Sequence, residues 1–491
     1  MNPADRRGDN AVHLRVVSVR RAHLRTAVVL VLVSALSVFA TPAVGAAAAG
    51  PAEAAIAWLD AEVAANSGSL PGPGSSEPDW GLTADAALAR IAGGRGTEAP
   101  TVALAQALSD ALADYSTWDG LGSEFAGVRT SGALAKVLLV ATSAGLATDD
   151  VDGVDLEAEL RGLMQGMGPQ TGRFSDRNPY GPDNSNGFDQ AWAMLALAAN
   201  GEVPAASVAF LLSQQCPGGG FPLLYDDGGC DSDEDSHPDA SALAVQVLLV
   251  VERTPEVRQA LQDVLGRLLG EQLPDGSFRG APPTEVSNAN STGLAAQALR
   301  GAGQLEAADR AAAWVGSIQV GETHAGTPAV AESGAIAYEP AKFDGALVGG
   351  IPGQQRDQWR RATTQGLLAL DVGLFVPAAD EAPVNPTPTT STTTTTTTTD
   401  TSTTSSTSAV PPTAAPTTAP TTQPSASTSG PDPAVAGAQA DGGAADTPLA
   451  ATGADGGVLG ASGAGMVVVG AAAVWLSIRT RRPGREAWHW S

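Results

Sequence analysis

An internal repeat constrains this chain more than any single motif does. A stretch that opens on a polar residue and runs on in Ala and Leu recurs six times. The copies are TADAALARIAGG (83–94), TSGALAKVLLVATSAG (130–145), FDQAWAMLALAANG (188–201), DASALAVQVLLV (239–250), NSTGLAAQALRGAG (290–303) and TTQGLLALDVG (363–373). Five of the six close on Gly, and the fourth runs on to stop before Pro255. Polar openings and Gly closures are what helix ends select. A side-chain oxygen accepts an orphan amide of the first turn, and Gly takes the left-handed conformation after the last.

A first helix precedes most copies: AAIAWLDAEV from Ala54, VALAQALSDAL from Val102, LEAELRGLMQ from Leu156, VAFLLSQQ from Val208, VRQALQDVLGRLLGEQ from Val257 and AADRAAAWVGSIQ from Ala307. Apolar positions at i, i+3, i+4 and i+7, such as Val264 and Leu268, give these helices one face to bury, and no stretch sustains strand alternation. Six pairs bury their faces most fully if the last pair meets the first, because a ring needs no end caps. The expected fold is all-α, an (α/α)6 toroid of six helix pairs over residues 47–379.

The two ends predict an address. Residues 26–40, TAVVLVLVSALSVFA, form a short apolar run behind an Arg-rich segment, and Val44-Gly45-Ala46-Ala47 follows. That order matches a secretory signal peptide, here assigned to residues 1–46, and the run is short for a membrane span. Residues 380–448 are Thr, Ser, Pro and Ala with almost no large apolar side chain, including Thr392–Thr399 unbroken. Such a segment cannot bury enough surface to offset ordering and reads as a disordered, extended stalk. Residues 449–491 hold Leu449-Ala450-Ala451-Thr452-Gly453, an apolar stretch over 458–478 long enough for one transmembrane helix, and the basic tail RTRRPGR. Motif, span and basic tail in that order resemble the LPxTG-type sorting signal of Gram-positive surface proteins. The resemblance implies cleavage by a sortase between Thr452 and Gly453 and linkage of Thr452 to peptidoglycan. The membrane would be met only through the C-terminal helix before sorting.

Charge narrows the partners. Asp and Glu number 52 against 27 Lys and Arg, a formal net charge of −25. Arg6, Arg7, Arg15, Arg20, Arg21 and Arg25 precede the first apolar run and Arg479, Arg481, Arg482 and Arg485 follow the last, so the middle is more acidic still. A surface of that sign repels phosphate backbones, which excludes nucleic acid as the expected partner.

The turn Gln214-Gln215-Cys216-Pro217-Gly218-Gly219-Gly220-Phe221 is echoed by Gln272-Leu273-Pro274-Asp275-Gly276-Ser277-Phe278 and in part by Gly172-Arg173-Phe174. These turns resemble the Q-x-x-x-G-G-F/W element of the prenyltransferase and squalene-oxidase repeats, a family of α/α toroids that includes terpene cyclases and protein prenyltransferase subunits. The resemblance implies fold more firmly than activity. A prenyltransferase-like zinc needs a free thiolate beside Asp and His. Cys216 and Cys230 instead stand 14 apart in an exported chain and are expected to form a disulfide. The D-x-D-D of class II cyclases is met only by Asp231-Ser232-Asp233-Glu234, and aromatics to hold a carbocation are 4% of the chain.

Two candidate sites remain. The acidic loop carries Asp231, Asp233 and Asp235 at the spacing that opens an EF-hand, which makes calcium the one cofactor it could take. Ser236 and Ala242, however, stand where that loop needs Gly and Glu. In a toroid the starts of the inner helices meet at one mouth. Aligning them gathers Asp85, Asp189, Gln190, Asp239, Asn290, Thr292, Thr363 and Gln365 as candidate ligand-binding residues, with Asp189 and Asp239 as a candidate catalytic pair. Each is also what an N-cap selects, at about 1 kcal/mol per helix. The expected function is a wall-anchored extracellular head that binds a glycan, a lipid-like or other small ligand, or a protein. The alternative is a toroid enzyme, an isoprenoid cyclase or transferase or a glycan lyase or hydrolase.

Overall fold

The structure, a computed structural model, describes residues 50–379 except 283, together with 383–386. The expected signal peptide, the sorting signal and all but four residues of the stalk lie outside them. Regular structure among the described residues is helical, with antiparallel contacts limited to isolated bridges. In chain order the helices are α1 (Pro51–Ala65), α2 (Trp80–Ala92), α3 (Ala99–Asp110), α4 (Leu112–Ser116), α5 (Ser131–Ser143), α6 (Leu156–Gly162) and α7 (Gly187–Asn200). There follow α8 (Ala205–Ser213), α9 (Pro238–Val250), α10 (Pro255–Glu271), α11 (Ala289–Gly301), α12 (Leu305–Ser317), α13 (Pro340–Gly349) and α14 (Arg356–Gly366).

Burial sorts these helices into two kinds. Helix α5 buries every residue from Ser131 to Ala141, and α7 and α9 are buried almost as completely around their circumference. Helix α10 buries one stripe, Val257, Ala260, Leu261, Val264, Leu265 and Leu268, the spacing of a helix with a single covered face. The fully buried helices α2, α5, α7, α9, α11 and α14 pack each against the next, and α14 packs back on α2. Closure of that circle is the toroid that the repeat predicts. Around it, α3 lies on α2 and α5, α6 on α5 and α7, α10 on α9, α12 on α11, and α1 on α14 and α2, while α8 packs on α10.

One hydrogen-bonded device joins successive outer helices. Gln215 Nε2 donates to the Gly219 carbonyl at 2.8 Å and to the Ala260 carbonyl of α10 at 2.9 Å. Gln272 does the same with Gly276 (3.1 Å) and Ala307 of α12 (2.8 Å). Gln319 repeats it with Gly334 (3.1 Å) and Pro51 of α1 (2.8 Å), which ties the end of the repeat to its beginning. The glycines of these turns sit at positive φ, +92° at Gly219 and Gly276 and +102° at Gly334. A Cβ there would meet a carbonyl of the next outer helix at 2.6, 2.3 and 2.1 Å respectively. Only glycine offers both the conformation and the clearance.

The sixth unit departs from the sequence reading. Its inner helix begins at Arg356, ahead of the expected 363, and ends at Gly366, where a short 3-10 turn, Leu367–Ala369, takes over. The cause is a seam of ion pairs. Arg356 reaches Glu62 (2.6 Å) and Glu332 (2.9 Å), Arg360 reaches Glu62 (2.8 Å), and Trp58 Nε1 donates to Glu332 at 2.8 Å. These partners let an Arg-rich stretch serve as an inner helix.

After that helix the chain crosses the ends of the others. Gly373 N donates to the Ala92 carbonyl (2.8 Å), Gln297 Nε2 to the Gly373 carbonyl (2.6 Å), and Ala379 N to the Leu249 carbonyl (2.9 Å). Phe375 packs on Trp192 with ring centroids 5.2 Å apart. The mouth formed where the inner helices end is therefore crossed by residues 373–379. The other mouth, where they begin, carries most of the candidate residues.

Candidate functional site

The candidate polar residues fall into three groups, and two of them, Thr363 and Gln365, lie in the last turn of α14 and not at a helix start, because that helix begins early at Arg356. The first clasps the turns. Gln190 Oε1 accepts from Phe174 N at 2.8 Å and its Nε2 donates to the Gly172 carbonyl at 3.2 Å. Thr292 accepts from Phe278 N and Thr363 from Ile336 N, each at 2.9 Å. Ser241 with Phe221 N (2.9 Å) and Thr83 with Leu70 N (3.0 Å) complete the set, and the sequence reading singled out neither. These residues hold the turn of each unit to its own inner helix.

The second group is ion-paired or capped. Lys136 of α5, 0% exposed, lies 3.0 Å from Asp85 of α2 and 5.4 Å over the Trp192 ring. Burial pushes the Asp85 carboxyl above its ordinary value, and Lys136 opposes that shift. Asp189 closes a capping box, its Oδ2 accepting from Asn186 N at 2.8 Å. Its Oδ1 lies over Gly132, where a Cβ would come within 1.9 Å. Gln365 is buried, and its backbone carbonyl packs as closely on Gly293. Lys136 was missed because one Lys in a helix usually reads as its solvated face. The signal that could have found it is its setting, the apolar run of 133–141.

The third group has acceptors that the protein does not satisfy. Asp239 and Asn290 are the second residues of the neighbouring inner helices α9 and α11, 8% and 5% exposed. Asp239 Oδ1 and Asn290 Oδ1 each lie buried with no hydrogen-bond partner among the described residues. Burial pushes the Asp239 carboxyl up, opposed by His237 and by a hydrogen bond from the Ser291 hydroxyl. His237 caps α9 with its Nδ1 accepting from Asp239 N at 3.2 Å, so its lone pair is spent on backbone. Tyr338 accepts Ala289 N at its carbonyl (2.8 Å), which sets it at the same helix start, and burial pushes its phenol up to about 12. Glu271, at the end of α10, is pushed up by burial against the pull of Arg267 and senses both His237 and Asp239. Its Oε2 also lacks a partner.

The acidic loop is tied to the glycine turn and to α7. Cys216 and Cys230 form the expected disulfide, with an S–S distance of 2.00 Å. The Asp233 carboxylate accepts from Gly218 N in the glycine turn, and Leu223 O accepts from Gly187 N (2.7 Å) at the start of α7. Asp231, Asp233 and Asp235 are exposed, and among the described residues no three His, Cys, Asp or Glu side chains gather as metal ligands would. Within the same loop Tyr225 stacks edge-on against Phe210 at 5.1 Å, under the Arg173 guanidinium at 5.6 Å.

No protein-family model matches the chain, and no curated protein matches it. Solved structures similar to it include an unsaturated glucuronyl hydrolase responsible for glycosaminoglycan degradation, from Bacillus sp. GL1. The two share 13% identity over 66% of this chain and 97% of that one, with a TM-score of 0.42. An ent-copalyl diphosphate synthase from Streptomyces platensis is 18% identical over 64% of this chain, with a TM-score of 0.37, and the match spans 54% of the synthase. Both likenesses are too distant to carry an argument about activity, and the ring rests on the helix contacts given above.

Proposed function

We propose that the ring is the ligand-binding head of a protein displayed outside the cell, and that it takes a hydroxyl-bearing ligand of the glycan class where the inner helices begin. The observation that carries this reading is the pair of buried acceptors, Asp239 Oδ1 and Asn290 Oδ1, for which the described residues supply no donor. Leaving such an atom unmade costs about 1–3 kcal/mol, which a donating ligand would recover. Sugar hydroxyls supply donors at the spacing of neighbouring side chains, and the buried Tyr338 at the same helix start offers apolar surface. Export by residues 1–46, a stalk over 380–448, and sortase linkage to peptidoglycan through Leu449–Gly453 complete the reading. The Gln–Gly turns support kinship with the prenyltransferase and squalene-oxidase repeats.

An enzyme acting on glycans has one specific observation in its favour. A buried carboxyl with a raised pKa, as at Asp239, is what a general acid needs. Its proposed partner Asp189 is engaged by the Asn186 amide in the α7 capping box, which suits it less to act as a base.

Calorimetric titration of the full-length chain in detergent with soluble oligosaccharides of glucose, N-acetylglucosamine and glucosamine tests the binding reading. At least one series should bind, and Asp239→Ala and Asn290→Ala should each weaken it about fivefold or more, the loss of roughly 1 kcal/mol. Binding by none of the three, or affinity unchanged in both variants, would remove the reading.

A further inference from the structure

Among the described residues several shielded carboxylates of this ring sit beside a Lys or Arg, and Asp239 does not. Glu62 has Arg356 at 2.6 Å and Arg360 at 2.8 Å, Asp85 has Lys136 at 3.0 Å, and Asp79 has Arg361. Each is compensated by a cation from another helix, as burial of charge requires. Asp239 receives the Ser291 hydroxyl and no Lys or Arg, with only His237 opposing its burial by charge, and among the described residues its Oδ1 has no donor. His237 turns Nδ1 to accept from the Asp239 amide. Three unsatisfied acceptors are associated with this point: Asp239 Oδ1, Asn290 Oδ1 and, at the end of α10, Glu271 Oε2.

These three acceptors, two of them carboxylate oxygens, are complementary to a donor with several hydrogens and a positive charge. A hydroxyl offers one hydrogen and no charge. A primary ammonium offers three hydrogens on one atom and supplies the cation that no Lys or Arg provides here. We infer that the site selects an amine, with a ligand ammonium donating to both Asp239 Oδ1 and Asn290 Oδ1, as a glycan with free amino sugars would present. This rests on the binding reading above and narrows its ligand. The positive end of α9 acts against a cation here, but it is a partial charge facing a full one.

The test compares oligomers of equal length that differ only at the second carbon of the sugar: glucosamine, N-acetylglucosamine and glucose. With the full-length chain in detergent, the glucosamine oligomer should bind at least about tenfold tighter than the other two. Asp239→Asn keeps the shape of the side chain and should abolish the preference while the thermal unfolding curve stays cooperative. Asn290→Asp adds a second charge at the same place and should widen the preference. Equal affinity for all three oligomers overturns the amine and leaves a neutral glycan site. Tighter binding of the acetylated oligomer overturns it too. No binding by any of them overturns the amine and the glycan reading together. If Asp239→Asn fails to fold, the direction of change in Asn290→Asp decides, since unchanged or reduced preference there also overturns the inference.

Discussion

Gly276 holds φ at +92° directly above the Arg310 carbonyl, where a Cβ would come within 2.3 Å. Two separate penalties meet at that atom. A left-handed conformation costs a residue with a Cβ roughly 1–2 kcal/mol, and the clash is with backbone, which cannot rotate away. Gly276→Ala should therefore destabilise the chain by at least about 2 kcal/mol in a denaturant titration. Gly228 meets nothing within 4 Å and has no positive φ, so Gly228→Ala in the same experiment should be close to neutral. Equal effects would mean that the turn tolerates displacement and that the Gln272 bridge does not fix it. The residue scale also shows what the sequence hides. Gln190, Thr292 and Asp239 look alike as polar openings of helices. Their roles part only through hydrogen-bond partners, 14 to 18 residues away for Thr292 and Gln190 and lacking at Asp239 Oδ1.

Among the elements, the seam between α1 and α14 decides whether the ring stays closed. Glu62 is 7% exposed at its side chain and accepts from both Arg356 and Arg360. Burial would raise its carboxyl, but the two guanidiniums outweigh burial and hold it below its ordinary value of 4.5. Glu332 is lowered in the same way by Arg356 and Trp58, against its own burial. A carboxyl lowered by folding contributes stability that is fully present above the unfolded pKa. That stability is lost as pH falls through the lower, folded value. Melting temperature should accordingly decline as pH drops below about 4.5, and less steeply in Glu62→Gln. At neutral pH that variant should cost about 3 kcal/mol, because the buried Arg360 loses its charge partner and Arg356 keeps only Glu332. A Glu62→Gln chain as stable as the parent at pH 7 would show that the seam follows closure and does not maintain it. The helix pairs were legible in the sequence because their periodicity is local. The seam was not, since it joins residues almost 300 apart, from Glu62 to Arg360. The third Gln–Gly bridge escaped notice for a related reason. The residues between Gln319 and Gly334 form short 3-10 turns in place of a tight one, and Ile336 stands where the other copies have Phe.

At the scale of the whole molecule, the chain leaves the ring on the side away from the candidate site. Val384 N donates to the Ala302 carbonyl at 3.2 Å and Gln304 Nε2 to the Val384 carbonyl at 2.6 Å, both just beyond the end of α11. Asn290 lies at the opposite end of that helix, about 18 Å away along a rise of 1.5 Å per residue. A stalk that begins here and ends in a wall linkage would hold the proposed ligand mouth outward, toward whatever the cell meets. That arrangement depends on the linkage at Thr452. Thr452→Ala should move the protein from the covalently bound wall fraction, released only by enzymes that digest peptidoglycan, to the fraction that detergent extracts. The head should fold as before, because Thr452 lies outside the described residues that form the ring, and purified Thr452→Ala chain should bind the same oligosaccharides as the parent. Wall linkage unchanged in Thr452→Ala would refute the sorting reading and leave the ring and its site untouched. Loss of ligand binding along with the linkage would instead mean that the head needs the wall for more than presentation.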